Sequence, residues 1–477
     1  MQIIIITMGA GLIQLVTTGQ LDNFININPD ISFYIFAYKR HTKFAMETVR
    51  LDFDKNLIIN AANNIYKCKI PFIADLVSNV YLVYTIPAIY SNDTYRFRWI
   101  KNFGTLLIKN ATITIGSSII DNIDGELLLI MNELSLSVKD SYNNITGNTS
   151  EYYEPQTPIP IIKITNNRYI SVSYPIGNKN LNIPSINSRE IIIPLAFNFT
   201  KHPSLSLLLA RIQNREDIYI NVELEDIENL YQVYDEKTNM YISSRYHNEL
   251  YVNDKIDINT FIKNNNINAY IEATCVYIDN YERGVLMTAP IKSILIERTF
   301  ISNYYDVKAG NNLITKINLM GANNHNKEII WVMKREDYYK YNDNTNYTNA
   351  IPEDASKSIM TMANIYFDKM NIMQDKNENF FNLIQPYQHH ECIPKKGIYC
   401  FSFALHPDKW QPTGSYNGAN TNTSLYVYVN NADNSMINEK LISVNEPPYN
   451  YNYKLRYYIR NYNVLEYIGG SVNIKYV

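Results

Sequence analysis

The chain holds 7 histidines and 4 cysteines, and only His389, His390, Cys392 and Cys400 lie close enough in sequence to suggest a metal. Zinc sites space their ligands as C-x2-4-C or H-x3-5-H, and adjacent imidazoles rarely reach one tetrahedral ion. The expectation is a loop of hydrogen-bonded imidazoles with no metal. Lys39-Arg40-His41 is a compact basic knot at the end of an aromatic, β-branched run. It has the charge to grip a phosphate, but a strand-end cluster that pairs with carboxylates of a neighbouring loop or subunit is the better reading. Trp410, before Gln411-Pro412, has the ring to stack on a sugar; packing in a turn outweighs that role. Glycosylation sequons stand at Asn92, Asn110, Asn144, Asn148, Asn198, Asn346 and Asn422. Most are expected by chance in an Asn-rich chain, yet Asn144, Asn148 and Asn346 fall in two long polar loops, 139–155 and 338–357. There is no G-x-S-x-G elbow, H-x-H metal motif, P-loop or G-x-G-x-x-G. The sequence therefore points away from an enzyme and implies no cofactor.

Composition narrows the class further. With 477 residues, 46% of them hydrophobic and 19% charged, the chain suits two domains with sizeable cores and is no candidate for disorder. A net charge of −3 argues against a surface that wraps nucleic acid, which needs a basic face to displace counterions. The 41 tyrosines, with abundant Ile and Asn, fit the codon bias of an AT-rich genome and carry no functional argument. Cys68, Cys275, Cys392 and Cys400 are too scattered for a disulfide framework and fit a reducing compartment. The apolar start, Met1-Gln2-Ile3-Ile4-Ile5-Ile6, lacks a basic leader, so no signal peptide is expected. No run is long and apolar enough to span a bilayer.

The elements that must carry these residues are mostly strands. Short β-type runs at 49–53, 80–86, 106–115, 191–197, 218–224, 269–278, 329–333, 398–405 and 425–429 are punctuated by Asn, Pro, Asp and Gly. Helical periodicity is confined to 125–136 and 204–212. Many short strands without βαβ alternation predict antiparallel sandwiches or barrels. The polar stretch 225–266 separates two strand-rich halves, so the domain boundary is expected near 225–260.

Against this background, Asn28-Pro29-Asp30-Ile31-Ser32-Phe33, followed by Tyr38-Lys39-Arg40-His41-Thr42-Lys43-Phe44-Ala45, resembles the opening pattern of the major capsid proteins of nucleocytoplasmic large DNA viruses. The likeness continues in order. It runs through Gly104-Thr105-Leu106-Leu107-Ile108-Lys109, Ile115-Gly116-Ser117-Ser118-Ile119-Ile120-Asp121 and Asn132-Glu133-Leu134, then Ile193-Pro194-Leu195-Ala196-Phe197 and Tyr277-Ile278-Asp279 with Glu282-Arg283. It ends with Gln385-Pro386-Tyr387-Gln388-His389-His390, Pro394-Lys395-Lys396-Gly397, Gln411-Pro412-Thr413-Gly414 and Tyr462-Asn463-Val464-Leu465. One departure stands out: where the family usually has N-F-S-R-I-D, this chain has Asn417-Gly418-Ala419-Asn420-Thr421-Asn422, which leaves a diverged paralogue open.

The resemblance implies an all-β double jelly roll: two consecutive eight-stranded antiparallel rolls with short helices in loops. On that reading residues 1–30 form an N-terminal arm, 31–225 the first roll, 226–260 a linker and the start of the second domain, and 261–477 the second roll. It further implies a structural capsid protein. Three copies would form a pseudo-hexagonal capsomer meeting neighbouring capsomers, penton and minor capsid proteins, and indirectly an inner viral membrane, with no direct nucleic acid. The implied location is the outer shell of a virion assembled in host cytoplasm. The polar loops at Asn144, Asn148 and Asn346 correspond to outward-facing towers in the family. Gln14, Asn28, Lys39, Arg40, His41, His389, His390 and Gln411 are the candidate assembly contacts. A scaffolding double jelly roll and a carbohydrate-binding jelly roll are the alternatives.

Overall fold

Alternation builds the strands. In Ile65–Ile70, Tyr66, Cys68 and Ile70 are buried while Lys67 and Lys69 face water, as a two-residue period on a half-buried sheet requires. The computed structural model describes residues 40–476 except 59–63, 91–95, 136–138, 155–160, 163–171, 174–183, 213–215, 236–239, 253–254, 258–265, 289–290, 312 and 434–450, together with 15–16, 19–22 and 26. Residues 1–43 and 44–477 form two separate compact units. In the first, the Asp22 carboxylate accepts hydrogen bonds from the Gly19 amide at 2.6 Å and the Asn26 side chain at 2.8 Å.

The second unit contains two rolls. The first is made of β1 (Phe44–Asp52), β2 (Ile65–Ile70), β3 (Leu76–Ile86), β4 (Ile108–Ile115), β5 (Ser118–Ile123), β6 (Arg189–Pro194), β7 (Ile218–Leu224) and β8 (Ala269–Ile278). One antiparallel sheet has the order β1-β8-β3-β6 and the other β2-β7-β4-β5. The second roll repeats this plan with β9 (Ile291–Ile301), β10 (Leu313–Asn318), β11 (His325–Arg335), β12 (Met360–Phe367), β13 (Met370–Asn377), β14 (Ile398–Ser402), β15 (Thr423–Val429) and β16 (Tyr453–Ile468). Its sheets run β9-β16-β11-β14 and β10-β15-β12-β13. First strand beside last, in both halves, is the double jelly-roll order. The helices are short: α1 (Phe103–Leu106), α2 (Gly125–Ser135), α3 (Lys139–Ile145), α4 (Asn280–Thr288) and α5 (Gln385–His389) among them.

The pairing moves the expected boundary. Ala269–Ile278, assigned by the sequence to the second half, lies between β1 and β3, with Thr48 opposite Thr274 and Leu82 opposite Ile271. It closes the first roll. Within the polar stretch expected as a linker, Tyr231–Asp235 pairs with Phe97–Trp99, and Ile227, Leu230, Tyr231 and Val233 are buried in the core of the first roll. The periodic segment 204–212 also differs: Pro203–Leu205 is a 3-10 turn, Leu207–Leu208 pairs with β3, and only Leu209–Ile212 makes a helical turn. The pairing of Leu207 with Val77 overrides the local helical pattern.

The strands β16, β11 and β14 of one sheet are buried on both faces. Ile329, Trp331, Met333, Tyr457 and Ile459 point into the second sandwich. Ile330, Val332, Ile398, Cys400 and Tyr458 point the other way and join the core of the first roll. This explains why β11 reads as a continuous apolar run and not as an alternating one. The core of the first roll therefore extends onto the outer face of the second roll's sheet, while the second sandwich keeps a core of its own.

Candidate functional site

The face that β11 and β16 turn toward the first roll carries charge at its ends. Because side chains alternate across a strand, Arg456, Tyr458 and Arg460 share this face, and the register sets them opposite Val332, Ile330 and Glu328. Two polar networks flank the apolar centre.

The first network converges on Glu126. Gly125 opens α2, and a Cβ there would lie 2.3 Å from the Thr105 carbonyl oxygen and 2.7 Å from that of Ile108. Only glycine lets the helix start this close, and the close start aims Glu126 at the second roll. Its Oε1 lies 2.7 Å from Lys334 Nζ and accepts from Tyr347 Oη at 3.0 Å. Its Oε2 accepts from Tyr304 Oη at 2.7 Å, Tyr458 Oη at 3.0 Å and Arg456 Nη1 at 3.2 Å. Asp124 Oδ2 sits 2.7 Å from Arg456 Nη2, close as a charge pair though not aligned as a hydrogen bond. Two carboxylates thus meet two cations. Burial alone would raise the Glu126 carboxyl, but Lys334 and Arg456 hold it down at about 2.

The second network is built on Arg460. Its guanidinium binds Glu297 through Nε and Glu328 at 2.6 Å through Nη1, and donates to the Pro407 carbonyl at 3.0 Å. Glu297 also takes Lys327 at 2.7 Å and, from the first roll, Lys201 at 2.8 Å. His390, fully buried at its side chain, meets Asp408 at 3.0 Å through Nδ1. Its Nε2 is 3.0 Å from Glu328 Oε2, an ion pair without hydrogen-bond alignment. Burial would lower this imidazole, yet the charges of Glu328 and Asp408 push it up to about 12, so it is a cation.

A third contact is a strap. The loop 338–357, expected as an outward tower, is instead largely buried against the first roll: Asn342, Thr345, Asn346, Tyr347, Thr348 and Asn349 are all enclosed. Asn342 adopts a left-handed φ of 47°, which aims its amide at the Glu228 and Tyr231 carbonyls, 2.6 and 2.7 Å away.

The residues singled out in the sequence are not brought together. Gln14, Asn28 and Lys39 lie outside the described residues. Arg40 and His41 are exposed in the first unit. His389 donates from Nδ1 to the Leu405 carbonyl at 3.1 Å, and Gln411 is exposed beside a cavity between the rolls. His390 is no surface contact, since Glu328 and Asp408 enclose it. Asn346 is also corrected: its amide nitrogen, buried, donates to Asp343 Oδ2 and the Ala350 carbonyl at 2.8 Å, leaving no free amide for a glycan. Asn144 is exposed; Asn148 is half-buried and bonded to Asn102 and Asn143. Among the described residues no three His, Cys, Asp or Glu side chains converge as metal ligands. Sequence reasoning passed over Glu126, Glu297, Glu328, Arg456 and Arg460. For Glu297, Glu328, Arg456 and Arg460 the signal was available as charges embedded in apolar strands, whereas Glu126 stands in the first turn of α2.

Two family models match the chain: "Major capsid protein N-terminus" over residues 32–279 and "Large eukaryotic DNA virus major capsid protein" over 282–472. They meet where β8 ends. A major capsid protein of Phaeocystis pouchetii virus is 24% identical over 98% of this chain and 100% of its own length. Among solved structures, a chain from a quasi-atomic model of the PBCV-1 virus capsid aligns with a TM-score of 0.66 at 16% identity, covering 94% of this chain and 100% of that one. The Faustovirus major capsid protein aligns with a TM-score of 0.64 at 11% identity, covering 91% and 92%.

Proposed function

The chain belongs to the major capsid proteins of large eukaryotic DNA viruses, and from that membership we propose that three copies close around a threefold axis into a pseudo-hexagonal capsomer. The protein is a structural component of the viral capsid. The observation that carries the trimer is the repeated strand order of the two rolls together with the charged, apolar junction that fixes one on the other. Three such two-roll blocks place six similar sandwiches around one axis, an outline that tiles a flat facet. A closed threefold ring leaves no growing edge, and many weak contacts between rings sum over a lattice.

In this reading the capsomers meet one another, penton proteins and minor capsid proteins, and approach an inner viral membrane through those partners without binding nucleic acid. Assembly takes place in host cytoplasm, and the role is architectural, without catalysis. Residues 1–30 act as an arm beneath the capsomer. Asn144 remains a surface position that an outward glycan could occupy. The test is the mass of the purified chain by light scattering after size exclusion. The expected result is a stable species of three times the 55.5 kDa chain. A monomer at every concentration would overturn self-assembly into trimers.

A further inference from the structure

A cavity of about 390 Å3 lies between the rolls beside the Arg460 network, within the size range of small-molecule sites. One wall is apolar, formed by Leu127, Leu128 and Met131 of α2. The other is charged, formed by Lys201, Asp408, Lys409 and Arg460. Trp410 lines it as well, 38% exposed, with its indole stacked on His202 of the first roll at a centroid distance of 4.4 Å. The stack holds the ring in place as a flat apolar surface.

Two of the carboxylates around this cavity are paired with cations, and the third accepts backbone hydrogen bonds. Glu297 takes Lys201, Lys327 and Arg460, Asp408 takes His390, and Asp121 accepts from the Asn198 and Asn122 amides at 2.6 and 2.9 Å. Lys409 is different: its ammonium makes no ion pair among the described residues. The α2 side chains and the indole line one cavity, and Lys409 lines it as a cation with no ion pair among the described residues. We propose that this cavity is a binding site for a small amphipathic carboxylate, its apolar body on Leu127, Leu128, Met131 and Trp410 and its carboxylate on Lys409. Because both rolls contribute walls, an occupant stabilises their docked arrangement by binding the folded chain alone.

The experiment titrates octanoate, and separately octanamide, into the full chain by calorimetry, with tryptophan emission followed in parallel. Trp99 and Trp331 are 1% and 0% exposed, so a change in emission on binding reports Trp410. Octanoate is expected to bind saturably in the millimolar range, shift the emission and raise the unfolding midpoint. Octanamide is expected to bind on the order of tenfold more weakly, the loss of one charge contact. Lys409→Glu, an exposed substitution, should remove the preference for octanoate. Met131→Phe should fill the cavity and weaken both probes, with the unliganded melting temperature of each variant confirming that it folds. Equal affinity for the two probes, an unchanged preference in Lys409→Glu, or no saturable octanoate binding would each overturn the site.

Discussion

Glu126 shows how much of this molecule depends on a single carboxylate. Three tyrosine hydroxyls and two cations address it from the second roll, and removing its charge leaves Lys334 and Arg456 close together without their shared anion. Breaking one partner of a buried pair typically destabilises by roughly 3–5 kcal/mol, so Glu126→Gln should lower stability at neutral pH by about that amount in urea unfolding. The sign of the pH dependence follows from a carboxyl held at about 2 in the folded state against the 4.5 of an ordinary glutamate. Its contribution is fully present above pH 4.5 and is lost as pH falls toward 2. The gap between wild type and Glu126→Gln should therefore close across that window; a constant gap would assign the loss to packing.

His390 works in the opposite direction. A cation raised from 6.5 to about 12 adds stability that is complete below pH 6.5 and declines as pH rises toward 12. Comparing wild type with His390→Gln between pH 7 and 10 isolates this term. Lys327 is common to both proteins; burial beside Arg460 pushes its ammonium down to about 8, giving it the reverse slope. The wild-type advantage is expected to shrink as pH rises. A pH-independent advantage would mean that His390 is neutral in the fold.

At the scale of elements, Ile218–Leu224 and Ala269–Ile278 stand where their β-branched, alternating residues predict, and Gly125–Ser135 is the helix its leucine spacing describes. What local pattern cannot carry is partnership across the chain. Ala269–Ile278 closes the first roll because Thr274 meets Thr48, a pairing that no polarity shift announces. The strap at 338–357 misleads in the same way: an Asn- and Thr-rich stretch reads as solvent-facing, yet each buried amide finds a backbone carbonyl. His390 looks like a loop imidazole until Glu328 and Asp408 arrive from elsewhere. The strap itself is testable at Asn342. Alanine there loses two hydrogen bonds to buried carbonyls and strains a left-handed residue, a loss of roughly 3–5 kcal/mol. Asn342→Gly keeps the backbone conformation and should be about 1–2 kcal/mol less damaging than Asn342→Ala. Equal losses in urea unfolding would remove backbone conformation from the account.

For the molecule as a whole, the question is whether two rolls make one unit or two. Chains of this length ordinarily unfold domain by domain, and polar interfaces between domains permit relative motion. Here the interface is the outer face of β9-β16-β11-β14, where Ile330, Val332, Ile398, Cys400 and Tyr458 share a core with the first roll, flanked by the Glu126 network, whose cations Lys334 and Arg456 meet their anions only when both rolls are present. Melting the first roll alone would bare that apolar face, strand Lys334 and Arg456 without Glu126 and Asp124, and take Lys201 away from Glu297. Those penalties oppose unfolding of either roll on its own, so cooperativity is expected to extend across the junction. Calorimetry of the full chain should give one transition, coincident with the loss of near-ultraviolet circular dichroism. A fragment spanning residues 291–476 should aggregate when expressed alone, while adding the first roll in trans should rescue part of it. Two separated transitions, or a soluble and folded second-roll fragment, would show that the rolls are independent and that rigidity in a capsomer has to come from neighbouring copies.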